Sequence, residues 1–378
     1  MKNVIPIIMQ PATENYFWVQ NVTEGILSSA MRYDSELLII EKENILERNI
    51  PRNIPVLVNG HMSEWLSGTA KFLQENGYTP IIVNASYGNS RQCKYSSVRF
   101  DMASGIQDVV DYCDACGRKN RVLFGVRADV AGDAEKVRLF RQSTEGSGSG
   151  ALAVVYMEDT LKKSVSQFVN VFLESDIDTV FCANDTVAIF LIKELQKNGV
   201  RIPEDVLIFG VGDSLVGRLL DVPLISLTAN YVEMGKQAVR LWRYLYKDGV
   251  DVDISVSIAC QMNRKQIHVE NVLTQRRGEK IEIEVDRGVG GWNDYLYEDE
   301  MVKRLHRLEI LLQSCDETDL FLLQALKKEK QEANIAEEIW MTPRAIRYRI
   351  NKMMKKIGAG NRSEIMALLQ EFNIWGES

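Results

Sequence analysis

Residues 342–358 read TPRAIRYRINKMMKKIG and hold Arg344, Arg347, Arg349, Lys352, Lys355 and Lys356 without a carboxylate among them. The whole chain carries a formal charge of −7. From Trp340 onward seven Lys and Arg residues face three carboxylates, so this end has a local excess of four and the remainder carries −11. An acidic body with a basic segment points to a polyanionic partner. Ile346, Ile350, Met353 and Ile357 recur at helical spacing in the same stretch, so one helix face can be buried while the cations take the others. A solvated face ordinarily mixes both signs, whereas no acid occurs between Ile339 and Ser363. Arginine can pair bidentately with guanine, asparagine with adenine, and lysine can neutralise phosphate. The chemistry on offer is recognition of double-stranded DNA, with Thr342, Arg344, Arg347, Tyr348, Asn351, Lys352 and Lys355 as candidate contacts.

Three helices must position that face. The basic helix starts with Thr342 as N-cap and Pro343 at the first helical position, where a missing N–H costs nothing, and Gly358 provides a C-cap. Before it, a helix over 331–340 turns Ile335, Ala336 and Ile339 inward. Another, over 318–328, has Asp316 or Thr318 as cap and Leu320, Phe321, Leu323 and Leu326 as its apolar set. A tight turn between the last two allows the basic helix to lie in a major groove.

The segment IAEEIWMTPRAIRYRINKMMKKIGAGNRSEIMALL resembles the LuxR-type helix-turn-helix, above all in Lys356-Ile357-Gly358 followed by Asn361-Arg362-Ser363-Glu364. The likeness covers some 60 residues. It implies base and phosphate contacts at Arg347, Tyr348, Asn351 and Lys352. Two departures are Arg349, where that family usually has histidine, and Pro343 after the cap.

Up to about residue 275 short apolar strands alternate with amphipathic helices. Strands are expected at 4–9, 37–40, 56–59, 80–84, 98–100, 122–126, 151–156, 179–182, 206–209 and 224–227. Helices are expected at 19–31, 63–76, 103–116, 186–198 and 232–246. Continuous apolar runs indicate parallel strands covered on both faces, and so many strands suit two lobes better than one sheet. The fold class expected is α/β, two doubly wound parallel sheets followed by a small all-α domain. STEGSGSG at 143–150 reads as a flexible loop, and the Gly-rich stretch 275–293 as a connection holding one strand. Met301, Leu305, Leu308 and Leu312 form an a/d-like stripe, suited to packing on a neighbouring domain or to a dimer seam. The resulting division is a ligand-binding body at 1–274, a linker with amphipathic helix at 275–314, and a DNA-binding domain at 315–378.

Residues 178–245 resemble the ligand-binding domain of LacI/GalR regulators, which has the periplasmic-binding-protein type 1 fold. The likeness lies in Ala183-Asn184-Asp185 before a helix, then Gly199-Val200, Pro203-Glu204-Asp205-Val206, Asp213-Ser214 and the strand at Pro223–Leu227. Weaker similarity extends it over about 1–270. The resemblance implies two lobes closing on a small molecule, with Asn15, Phe17, Asp101, Arg138, Asn184, Asp185 and Asp213 lining the cleft. Aromatic faces stack on sugar rings, and Asn, Asp and Arg bind hydroxyls. Asn184 and Asp185 suit helix capping equally well. Gly212 stands where many sugar repressors carry an aspartate, and the family's N-terminal helix-turn-helix is expected to be replaced by the C-terminal one.

Six cysteines do not imply a disulfide framework, and Cys113-x-x-Cys116 lacks the closely spaced second pair that zinc requires. No apolar run approaches the roughly 20 residues of a membrane span. MKNVIPIIMQP lacks the h-region of a signal peptide, so a cytoplasmic location is expected. A receiver domain would need an acidic pair ending the first strand, where Ile8-Met9-Gln10-Pro11 stands. A transport binding protein would have no use for the basic helix. Gly210, Gly212 and Gly217 do not make a dinucleotide fingerprint, no nucleophile motif occurs, and three scattered histidines give little for acid–base catalysis. The expectation is therefore a non-enzymatic, cofactor-free, homodimeric regulator that binds a small-molecule effector, carbohydrate or other polar metabolite, and DNA. The alternative is a small-molecule-binding module acting through a protein partner.

Overall fold

Apolar runs bounded by turns form parallel strands when helices cover both faces, and the body of this chain is built on that rule. A computed structural model describes residues 3–376 except 14–15, 49, 53, 85–94, 145–152, 158–159, 223, 249–251 and 264–298. Asn15, most of the 143–150 loop and the 275–293 connection lie outside the described residues.

The elements run β1 (Asn3–Met9), α1 (Phe17–Arg32), β2 (Ser35–Ile39), β3 (Pro55–Asn59), α2 (Ser63–Glu75), β4 (Thr79–Val83), β5 (Ser96–Asp101) and α3 (Ala103–Ala115). They continue with β6 (Arg121–Val126), α4 (Ala131–Thr144), β7 (Ala153–Tyr156), α5 (Leu161–Glu174), β8 (Thr179–Cys182), α6 (Asp185–Lys197) and β9 (Leu207–Gly212). Then come α7 (Leu215–Arg218), β10 (Ile225–Thr228), α8 (Tyr231–Asp248) and β11 (Ser255–Ala259). One sheet has six strands in the order β11-β5-β4-β3-β1-β2, every pair parallel. The second has five strands, β6 to β10. Its pairs β6–β7 and β8–β9 are likewise parallel. The α/β architecture with two parallel sheets is as expected.

Contacts divide the chain into two compact units, Met1–Glu158 with Leu227–Met262, and Asp159–Ser226 with Asn293–Ser378. In the first, α1 and α8 cross backbone to backbone. A Cβ on Gly25 would sit 2.0 Å from the Val232 carbonyl oxygen, and one on Gly235 2.1 Å from that of Val22, so both positions require glycine. Trp242 on α8 is fully buried, its indole N–H donating to the Pro55 carbonyl at 2.7 Å.

In the second unit five helices follow: α9 (Glu300–Gln313), α10 (Glu317–Lys327), α11 (Glu332–Glu338), α12 (Pro343–Ile357) and α13 (Arg362–Glu371). The a/d-like stripe of α9 is wider than its spacing suggested, with Val302, Leu305, Leu308, Leu311 and Leu312 all buried. This face is covered within the chain, against α7, α12 and α13. Asp316 caps α10 in a capping box with Asp319. Leu322, Leu323, Ala325 and Leu326 are buried there, while the expected Leu320 and Phe321 are half-buried.

Candidate functional site

In the first unit, aromatic rings gather where β1, β3 and β5 end and where α1 and α8 begin. Phe17 opens α1 and Tyr231 opens α8; their rings meet edge to face at 5.8 Å. Phe100, near the end of β5, also meets Tyr231 edge to face, at 5.1 Å. Trp18 lies 6.2 Å from Tyr231 and 6.0 Å from the His61 ring, which is 5.9 Å from Tyr16. Asn59 ends the buried strand β3 at 1% exposure, and neither amide atom has a hydrogen-bond partner among the described residues. A buried amide without partners is costly, and it is a ready hydrogen-bonding group for a polar ligand. Gln10 closes the neighbouring strand end, its Oε1 accepting from the His61 and Met62 N–H groups.

The remaining first-unit candidates are placed differently. Asp101 ends β5 and accepts from the Ala103 N–H, the first of α3, at 3.2 Å. Arg138 lies on α4 and is tied along its own helix to Glu135, at 2.7 and 3.0 Å, and to Gln142 at 3.0 Å. Tyr231 and Asn59 were missed from the sequence. Each left a signal: an aromatic opening a helix as Phe17 does, and an amide closing an otherwise apolar strand.

In the second unit Asn184 and Asp185 join β8 to α6. Asn184 is the N-cap, its Oδ1 accepting from the Val187 N–H at 3.0 Å. Asp185 is buried at 4% exposure. Its Oδ2 accepts from the Ser214 N–H and its Oδ1 from the Ser226 hydroxyl, both at 2.6 Å. The carboxylate thus ties together the ends of β8, β9 and β10. A Cβ on Gly210 would fall 2.2 Å from Asp185 Oδ1, which explains that glycine. Burial pushes the Asp185 carboxyl above its ordinary value, while hydrogen bonds from Ser214 and Ser226 pull the other way. Asp213 has φ 54°, pairs with Arg218, and accepts from Asn263 Nδ2 at 2.9 Å. Its N–H donates to Ser226 Oγ at 2.9 Å. Asp185 therefore holds the loop, with Asn184 half-buried beside it and the Asp213 side chain 6% exposed.

The basic helix is assembled from the caps read in the sequence. Thr342 Oγ1 accepts from the Ala345 N–H at 3.2 Å, and Gly358 closes the helix in the left-handed region at φ 65°. Ile346, Ile350, Met353 and Ile357 are buried. Arg344, Arg347, Tyr348, Asn351, Lys352 and Lys355 are exposed, Tyr348 to 70%. Arg349 is the exception among the cations: its Nη1 is 2.8 Å from both Asp316 Oδ2 and Asp319 Oδ1. Trp340, in the turn between α11 and α12, is 96% exposed.

Among the described residues no group of three His, Cys, Asp or Glu side chains could hold a metal ion, and no helix is long and apolar enough to cross a membrane. Cys113 and Cys116 lie at the C-terminal end of α3 and are not joined in a disulfide.

Residues 121–261 match the periplasmic binding protein-like domain family. Over 60 residues, 16% of this chain and 18% of the relative, the sequence is 40% identical to the ribose operon repressor of Haemophilus influenzae. Over 264 residues, 65% of this chain and 76% of the relative, it is 21% identical to catabolite control protein A of Priestia megaterium. The matches to several relatives cover only 18 to 28% of their length. Among solved structures, the transcriptional regulator CelR–cellobiose complex superposes with a TM-score of 0.60 at 16% identity, over 69% of this chain and 84% of that one. The α/β body of this chain thus has the periplasmic-binding-protein-like fold found in LacI/GalR-type regulators.

Proposed function

We propose that this chain is a ligand-responsive, DNA-binding transcription regulator. Its α/β body senses a small polar molecule, and its C-terminal helices form a LuxR-type helix-turn-helix that reads the major groove. One observation carries the reading. On α12 the apolar stripe is buried while Arg344, Arg347, Tyr348, Asn351, Lys352 and Lys355 stand exposed on a helix anchored at both ends. The likeness of the body to regulators named for ribose and crystallised with cellobiose supports a carbohydrate-like effector. The aromatic group around Tyr231 and the buried amide of Asn59 suit such a ring. In this reading the protein is non-catalytic, acts where DNA is, and works as a homodimer, because one helix-turn-helix reads few base pairs.

The test is DNA affinity against salt for the full chain and for an Arg347→Ala, Lys352→Ala, Lys355→Ala triple variant. Exposed sites are chosen because removing the whole segment would strip the cover from α9. Steeply salt-dependent binding, with a shallower slope in the variant, supports the reading. Identical behaviour of the two proteins rejects it. The 96% exposed Trp340 favours a second reading, in which this face docks a protein partner.

A further inference from the structure

We infer that residues 213–220 are a relay that couples the strand ends around Asp185 to the helix-turn-helix, an inference that rests on the regulator reading above. The segment is short and held from both sides. On the sheet side, the Ser214 N–H is bound to Asp185, the Asp213 N–H to Ser226, and the Asp213 carboxylate to Arg218. On the helical side, Glu309 of α9 accepts from the Leu215 and Val216 N–H groups, each at 2.8 Å. The Trp375 N–H donates to the Leu219 carbonyl at 2.8 Å, and Leu220 bridges to Ile374.

Glu309 is the element that forbids independent movement. It is 3% exposed, and it also accepts from Gln313 on its own helix, at 3.0 Å. If α7 moved alone, a buried carboxylate would lose its two backbone donors, which is far costlier than carrying α9 along. Helix α9 is in turn fastened to the DNA-facing helices. Arg307 donates to the Ile357 carbonyl, at the last residue of α12, at 3.0 and 3.2 Å, and Arg304 pairs with Glu371 of α13 at 2.6 Å. The path runs from Asp185 through Ser214, α7, Glu309, α9 and Arg307 to α12; hydrogen bonds join one element to the next, and the chain itself carries it from Ser214 into α7 and along α9. A molecule that rearranged Asp213 or Ser226 would thereby alter the seating of the basic helix. Coupling of this kind is reciprocal, so DNA would alter effector affinity by the same factor.

The experiment is amide hydrogen exchange on the full-length chain, comparing the unaltered protein, Ser226→Ala, Glu309→Gln and the double variant. Ser226→Ala loosens the loop from the sheet side without removing a contact to α7, α9 or α12. It should raise exchange in residues 300–313 and 343–357 by about threefold or more, and Glu309→Gln should abolish most of that increment. Protection of β3 in the first unit serves as the control for global unfolding. If Ser226→Ala does not fold, Arg218→Ala releases Asp213 from a half-exposed position and is read the same way. Exchange raised only in residues 210–218, with α9 and α12 unchanged, overturns the relay. DNA titration of the unaltered protein is run alongside: absent binding with intact coupling rejects the regulator reading and keeps the relay.

Discussion

Arg349 donates to Asp319 Oδ1 at 2.8 Å, so the cation at the centre of the basic helix faces its own domain. The same guanidinium reaches Asp316, whose carboxyl it holds below the usual carboxylate range. Asp316 and Asp319 are also the capping box of α10. One arginine therefore fixes the angle between the basic helix and the helix that supports it. Arg349→Ala should leave the 5% exposed Asp319 carboxylate short of its partner and destabilise the C-terminal helices by about 1–3 kcal/mol. The slope of DNA affinity against salt should stay as it was. A shallower slope would make Arg349 a phosphate contact instead.

Arg347 and Lys352, both exposed on α12, should separate by the kind of loss they cause. Arg347→Ala is expected to cost about 1–3 kcal/mol at one base position and relax specificity there. Lys352→Ala is expected to weaken all sequences alike and reduce the salt slope by about 1. Binding measured across single-base variants of a selected site distinguishes the two.

Gly210→Ala places a methyl group 2.2 Å from Asp185 Oδ1 in the unaltered geometry. The variant should unfold at lower denaturant concentration than the parent, by roughly 2–4 kcal/mol. Combined with Asp185→Ala the two losses should not add, because removing the carboxylate also removes the clash. Strict additivity in a double-mutant cycle would refute that account.

His306 on α9 gives a pH signature. Burial lowers its pKa from 6.5 to about 4. A depressed folded-state pKa contributes stability above pH 6.5 that is lost as pH falls towards 4, because the unfolded chain takes up the proton first. The full loss is about 3 kcal/mol. Glu309 and Asp185 act in the opposite sense: burial raises both, so their protonation favours the folded state as pH falls. Comparing the parent with His306→Gln from pH 7 to 4 isolates the histidine, and the variant's melting temperature should fall less steeply.

Asn59 should show the sign expected of a binding residue. Asn59→Leu removes two buried polar atoms that lack partners and is expected to raise the melting temperature of the unliganded protein by a few degrees. It should also remove any stabilisation produced by cellobiose or ribose. A lower melting temperature would assign the amide to the fold.

Much of this protein was legible because its signals are local. The buried parallel strands appear as continuous apolar runs, as in Pro55–Asn59, Arg121–Val126 and Thr179–Cys182, which are buried or nearly so throughout. The caps of α12 follow from Thr342, Pro343 and Gly358, since capping depends on residues a few positions apart. Strand β11, Ser255–Ala259, was missed because only alternate residues are even half-buried; its place at the sheet edge beside β5 comes from pairing, which composition does not encode. Roles that depend on distant partners were decided by tertiary structure. Asp185 is set by Ser214 and Ser226, 29 and 41 residues away, and Glu309 by α7, more than 90 residues away. The spacing of cations determined that α12 would be basic, whereas only the packing of α10 against it turned Arg349 inward and left the others exposed, because a charge's role depends on which partner reaches it first.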